Sequence, residues 1–206
     1  MNRIIFDIDT QKDFLSPLGK CYVGDEKLLC VTESIISNIE EILVNGIRNG
    51  IPVISSVFAN NCQGFCDITT EGQEKIKETC LVDSEFYYNI AHTHHGIDMT
   101  VAKHCWQMEF EKEGADIWDV NLGQPDNLHT YLRTNNINIV TVIGNNFNDS
   151  VLLTILGLTK SKYHVEFIPD AIVNFSQNSC VKALCLGAEY IHMEEFIEKI
   201  NNYDCD

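Results

Sequence analysis

The chain has 206 residues, is 45% hydrophobic, and carries 14 Lys and Arg against 30 Asp and Glu, for a formal net charge of -16. That length fits one compact domain over residues 1–206, and the charge repels phosphate backbones and anionic lipid surfaces, so neither nucleic acid nor a membrane is an expected partner. The opening MNRIIFDIDTQ has aspartates within its short apolar run and no cleavable signal character, and no stretch reaches the length of a membrane span, so a cytoplasmic location is expected.

Residues 3–8 (RIIFDI) read as a short buried strand with Asp7 and Asp9 at its C-terminal end. A loop punctuated by Gly and Pro follows. Across 25–49 apolar residues recur at helical spacing, among them Ile35, Ile39, Ile42 and Leu43, until Gly50 closes the helix. Residues 51–57 (IPVISSV) resume as a strand, giving a β-α-β unit whose natural form is a parallel pair joined by a crossover helix.

Residues 58–70 read as loop, 71–80 as a short helix, 86–95 as helical or irregular, and 97–103 as the third strand, ending on Lys103. The rhythm then repeats: helix 126–134, strand 137–143, helix 150–159, strand 164–168, helix 177–189, a last short strand and helix 193–201. Strands alternating with helices predict an α/β fold, one Rossmann-like doubly wound domain with a mostly parallel sheet and helices on both faces.

Nine cysteines in a chain without a secretory signal point to reduced thiols. Cys62, Cys66 and Cys80 lack paired spacing, so idle thiols are expected rather than zinc. His92, His94 and His95 lie in a polar stretch and read as solvated surface, while His104 neighbours Lys103. Trp106, Phe110 and Trp118 fit a pocket mouth, an aromatic core or an oligomer interface equally well.

The chemistry concentrates around residues 137–156, INIVTVIGNNFNDSVLLTIL. An apolar strand meets Gly144, a polar knot runs to Ser150, and a helix begins; in an open α/β sheet ligands bind at such strand ends. Asp9, Lys103 and Ser150 would thus reach one edge of one sheet. A carboxylate can shuttle a proton, an ammonium can set its charge state, and a hydroxyl can attack. Each also has a plain structural role: Asp9 as a turn residue, Lys103 as a surface lysine, Ser150 as a helix N-cap.

Four features in order resemble the isochorismatase-like, or cysteine hydrolase, family. Asp9-x-Gln11-x-Asp13-Phe14 is similar to its opening motif, Lys103 to its lone lysine on a middle strand, 144–151 to its nucleophile turn, and 165–173 (VEFIPDAIV) to the strand that follows. Residues 69–76 (TTEGQEKI) are loosely similar to a segment of the nicotinamidase branch. The resemblance implies a hydrolase of small amides, imides or enol ethers, usually a homo-oligomer (dimer or higher), with Asp9 as proton shuttle and Lys103 as its electrostatic partner. It also implies a non-proline cis peptide near Asn145 and Asn146 beside the oxyanion region, and a substrate region that includes Phe14 and Trp106.

Two departures shape the expected activity. Ser150 stands where most members have a cysteine, and an alcohol holds its proton far more tightly than a thiol of pKa about 8.5, so efficient cysteine-type amidase activity is not expected. The metal ligands of nicotinamidase-like members fall on Phe58, Asn60 and Phe65, so no metal, no cofactor and no nicotinamidase activity are expected. Isochorismatases resemble this chain in lacking the cysteine, with Asp9 then the acid; the loop 58–68, however, has no arginine for a dicarboxylate. Two readings follow: a hydrolase of an unidentified small molecule, or a catalytically impaired relative that binds a small molecule or serves as a scaffold.

Overall fold

The strand β1, Arg3–Ile8, is buried along its whole length and runs parallel to its two neighbours, β2 (Val53–Phe58) and β5 (Ile139–Gly144). Beyond β2 lie β4 (Gln107–Lys112) and the edge strand β3 (Tyr87–Ile90); beyond β5 lie β6 (His164–Ile172) and β7 (Glu189–Tyr190). Among the described residues the sheet therefore has seven parallel strands in the order β3-β4-β2-β1-β5-β6-β7. This is a computed structural model, and it describes residues 2–22, 26–60, 64–81, 86–91 and 96–202, with 26–29 described by backbone alone.

Alternation along β1 divides the core. Ile4, Phe6 and Ile8 join the larger cluster, packed with Leu128 and Leu132 of α4 (Pro125–Thr134), Ile155 and Leu158 of α5 (Leu152–Lys160) and Ala183 of α6 (Gln177–Cys185). Ile5 joins the other cluster, with Ile39, Ile42 and Leu43 of α2 (Glu26–Arg48) and Phe196 and Ile200 of α7 (Met193–Asn201). Covering both faces is what lets a parallel sheet carry such apolar strands. After β1 the chain builds the sheet toward β2, and later returns to the other side of β1 with β5, so the strand order reverses between the C-terminal ends of β1 and β5, where open α/β sheets bind ligands.

The expected strand at 97–103 is not one. Asp98 accepts a hydrogen bond from Thr100 N at 2.9 Å and caps a short helix, α3 (Met99–Ala102), with Lys103 as its C-cap. Local N-cap chemistry there outweighs the β-branched pattern. The strands on that side are β3, within the segment expected to be helical or irregular, and β4, whose QMEFEK hides its burial behind charges. Glu109 is buried there with the Tyr87 hydroxyl and Asn89 Nδ2 donating to its carboxylate, and burial pushes its carboxyl up despite them. The segment expected as one short helix is two 3₁₀ turns, Glu71–Gln73 and Lys77–Thr79. The helix expected over 177–189 ends at Cys185. No helix among the described residues is long and apolar enough to cross a membrane. Cys66 is buried and Cys80 exposed, both as free thiols, while Cys62, His92, His94 and His95 lie outside the described residues.

At the N-terminal end of the sheet Arg3, fully buried, donates to Glu166 through both terminal nitrogens and to Thr141 Oγ1 at 2.6 Å, and Lys199 Nζ donates to Glu166 Oε1 at 2.7 Å. Burial pushes the Glu166 carboxyl up, but the two cations prevail and bring it from its ordinary 4.5 down to about 2. A depressed carboxylate stabilises the fold fully above its unfolded value, and that contribution is lost as the folded form takes its proton. Glu166 should therefore contribute up to about 3 kcal/mol near neutrality, lost between pH 4.5 and about 2. Denaturation midpoints measured across that range should fall more steeply for the wild type than for Glu166→Gln; parallel curves would remove this account.

Candidate active site

Asp9 is the first residue past β1. It sits in the left-handed region at φ 51°, which aspartate tolerates better than most residues, and its N–H donates to Ser56 O at 2.9 Å. That turn aims its side chain into the crevice. Ser56 Oγ donates to Oδ1 at 2.8 Å, and Lys112 Nζ donates to Oδ2 at 2.9 Å. Lys112 ends β4, opposite Phe58 in the β2 register, and is fully buried. Its ammonium also donates to Ala115 O at 2.8 Å and to Ser150 Oγ at 3.2 Å, and it lies 4.2 Å from the centroid of the Phe58 ring.

Ser150 arrives from β5. Gly144 has φ 116°, and a Cβ there would run into the backbone of Ile8, so only glycine lets the end of β5 press against β1 this closely. Asn145 N then donates to Ile8 O at 2.7 Å, and the peptide between Asn145 and Asn146 is cis. The π-helical turn Phe147–Val151 carries Ser150, 3% exposed, into the crevice ahead of α5. The capping role open to Ser150 belongs to Asn146, whose Oδ1 accepts from Asn148 N at 3.1 Å. The serine hydroxyl is thus free of helix duty and held by the lysine.

Burial pushes the Asp9 carboxyl above the usual carboxylate range, against the opposing pull of Lys112 and of the Ser150 and Ser56 hydroxyls. A carboxyl so placed can both take and return a proton closer to neutrality. Because the Lys112 ammonium donates to Ser150 Oγ, the serine's own hydrogen is available to Asp9.

Asp9 and Ser150 open on a cavity of about 240 Å³, whose wall also includes Asn145, Asn146 and Phe14, with Lys112 buried behind them. Phe14, Phe58 and Phe65 form its aromatic side, with ring centroids 5.4 to 5.7 Å apart. The Asn60 carboxamide donates to Phe65 O at 2.8 Å, beside this wall. Gln11 and Asp13 act on the walls. Gln11 Nε2 donates to Phe58 O at 2.8 Å and Gln73 O at 2.7 Å, while Phe58 N donates to Gln11 Oε1 at 2.8 Å. Asp13 accepts from Lys20 N at 3.1 Å and Cys66 N at 2.6 Å, and Gly72 makes room for its carboxylate, since a Cβ there would overlap it.

Two sequence-derived site residues lie elsewhere. Lys103 and Trp106 flank a separate cavity with Pro52 and Ile137, which precede β2 and β5, at the opposite ends of the strands. Lys103 cannot partner Asp9; Lys112 occupies that place. Lys103 follows a helix that ends before β4 begins, whereas Lys112 is the last residue of β4, and C-terminal strand ends meet the crevice. The available signal was phase: Lys112 shares its strand face with Met108 and Phe110, both fully buried. Phe110 is core, and Trp118 packs over Gly157 with its ring 4.9 Å from His129.

No protein-family model and no curated protein matches the sequence. Solved structures do match the fold. An N-carbamoylsarcosine amidase from Thermoplasma acidophilum is 16% identical, with a TM-score of 0.69 over 95% of this chain and 98% of that one. An isochorismatase-like hydrolase from Alkaliphilus metalliredigens is 16% identical, with a TM-score of 0.68 over 96% and 98%. A nicotinamidase/pyrazinamidase from Bacillus subtilis is 18% identical, with a TM-score of 0.68 over 92% and 99%. The chain has the doubly wound α/β fold of the isochorismatase-like hydrolases.

Proposed function

We propose that the chain is an isochorismatase-family hydrolase of a small amide, imide or enol ether, with Asp9 as acid and base, Lys112 as its electrostatic partner and Ser150 in the nucleophile position. The observation that carries this reading is the meeting of the three side chains around one ammonium, 2.9 Å from Asp9 and 3.2 Å from Ser150, at the wall of a cavity. For an amide, ionised Asp9 takes the Ser150 proton as Oγ bonds to the carbonyl carbon. Collapse of the tetrahedral adduct breaks the C–N bond, and Asp9 returns the proton to the departing nitrogen. Water, deprotonated by Asp9, then cleaves the ester and restores Ser150. For an enol ether, protonated Asp9 gives its proton to carbon, and water attacks the resulting oxocarbenium ion and yields a proton back to Asp9. The hemiketal then collapses to a carbonyl with the C–O bond broken and the alcohol leaving with its proton, with no bond to Ser150.

A panel of carboxamides, cyclic imides and enol ethers, run with wild type, Ser150→Ala and Ser150→Cys, tests this reading. Wild-type turnover is expected within the panel. A loss of about 10³-fold or more in Ser150→Ala identifies the covalent route, and turnover indifferent to that change identifies acid-catalysed cleavage. Ser150→Cys is expected to raise amide turnover, because a thiol ionises more readily than an alcohol. The serine itself favours the second reading, a binder that has lost its nucleophile, and silence of both wild type and Ser150→Cys across the panel would establish that reading instead.

A further inference from the structure

We infer that two copies of this chain pair about a two-fold axis through the outer face of α5, with the neighbouring face of α6 beside it. The inference does not depend on the hydrolytic reading.

The composition of α5 calls for a covering. Its sequence, LLTILGLTK, is apolar on nearly every side, and a helix of that kind is ordinarily buried all round. Thr154, Ile155 and Leu158 turn inward and are at most 1% exposed, while Leu153 and Leu156, on the opposite side by helical spacing, stay partly exposed. Beside it α6 leaves Val181 and Leu184, one turn apart, 56% and 46% exposed. Neither 150–165 nor 171–188 contains an Asp or Glu, in a chain of net charge -16. Two such copies repel one another, and they approach at least cost where both present few acids.

The order of residues along α5 says what the covering is. Asp149, in the π turn that leads into the helix, is followed by Leu153, Leu156 and Lys160 at spacings of four, three and four residues, which sets them in one stripe on the outer side. Asp149 and Lys160 are both exposed. Acid, leucine, leucine, lysine is a self-complementary series, symmetric about the point between Thr154 and Ile155. A second copy laid antiparallel across that point sets each Asp149 against the Lys160 of the other copy and each Leu153 against its Leu156. The same patch then serves both copies, as a two-fold contact requires. Its centre is apolar and its ends are charged, the usual division of an interface into core and rim, and each helix N-terminus lies beside the C-terminus of the other, where the dipoles attract. An unrelated partner would not call for this symmetry.

Sedimentation velocity on the full chain, from about 1 to 100 µM, tests the pairing in wild type, Leu156→Glu, Asp149→Lys and Lys160→Asp. Wild type is expected to dimerise within that range, and Leu156→Glu to weaken the dimer at least about tenfold by placing a charge in the apolar centre. Each charge reversal turns two attractions into two repulsions, so each variant alone should associate about tenfold more weakly or worse. Mixed in equal amounts, Asp149→Lys and Lys160→Asp restore both pairs and should form a heterodimer about as tight as the wild-type dimer. Both changes fall on exposed side chains, and rescue on mixing is a result that misfolding cannot produce. A wild type that stays monomeric at about 100 µM would overturn the inference, as would a dimer indifferent to Leu156→Glu. Single reversals that pair as tightly as wild type, or a mixture no tighter than its separate components, would overturn the antiparallel two-fold contact.

Discussion

Asp9→Asn is expected to lower kcat/KM by about 10²- to 10⁴-fold on whichever substrate the panel reveals, the range lost when a positioned acid-base group is removed. The carboxamide keeps the shape, its oxygen can still accept from Lys112 and its nitrogen can donate to Ser56 Oγ, so the loss would report proton transfer rather than packing. The pH profile then tells which protonation state acts. If amide hydrolysis needs ionised Asp9, activity falls as pH drops through its pKa, and burial places that limb above the ordinary carboxylate range. If enol-ether cleavage needs protonated Asp9, activity falls instead as pH rises through the same value. Lys112 favours the ionised form, so Lys112→Met should move either limb to higher pH. Activity within tenfold of wild type in Asp9→Asn would show that this carboxylate is not the acid-base group.

Lys75→Ala is expected to destabilise the fold by about 3–5 kcal/mol, the cost of removing one partner from a buried ion pair. Lys75 Nζ donates to Asp7 Oδ2 and to Thr10 Oγ1 at 2.7 Å, and both charged side chains are at most 1% exposed. Thr10 Oγ1 and Ser55 Oγ also donate to Asp7 Oδ2, at 2.8 and 3.3 Å, but Asp7 Oδ1 has no partner among the described residues. Loss of the ammonium would leave a buried carboxylate with hydroxyl support alone. The double change Asp7→Asn with Lys75→Met should recover part of the stability, since a neutral pair needs no counter-charge. Urea midpoints of the three variants measure both effects, and a single-variant loss below about 1 kcal/mol would contradict the pairing. The site would feel the same change. Lys75 bridges to Gln11 in the backbone, and Gln11 holds the Phe58 and Gln73 carbonyls that shape the aromatic wall.

Much of the fold was legible because it is local. Apolar runs and helical spacing mark β1, α2, α4, β5 and α7 directly, and a strand that runs into Gly144 and then a polar turn marks a site edge. Asp9 and Ser150 lie at strand ends of that kind, while Phe14, Asn145, Asn146 and the nucleophile position of Ser150 follow from the family resemblance. The lysine did not follow. A charge near a strand reads as solvent-facing unless its partners are known, and the partners of Lys112 lie 103 residues back at Asp9 and 38 residues on at Ser150. Asp98 capping α3 removed the strand on which Lys103 depended, and the acids of β4 hid the strand that carries Lys112. Trp106 was likewise a matter of which end of a strand it occupies. Local periodicity thus determined the order of strands and helices outside residues 71–112, and with it the strand ends that carry two of the three groups at the centre. Only tertiary packing decided which ammonium joins them, because the energy that holds a buried charge comes from groups far away in the chain.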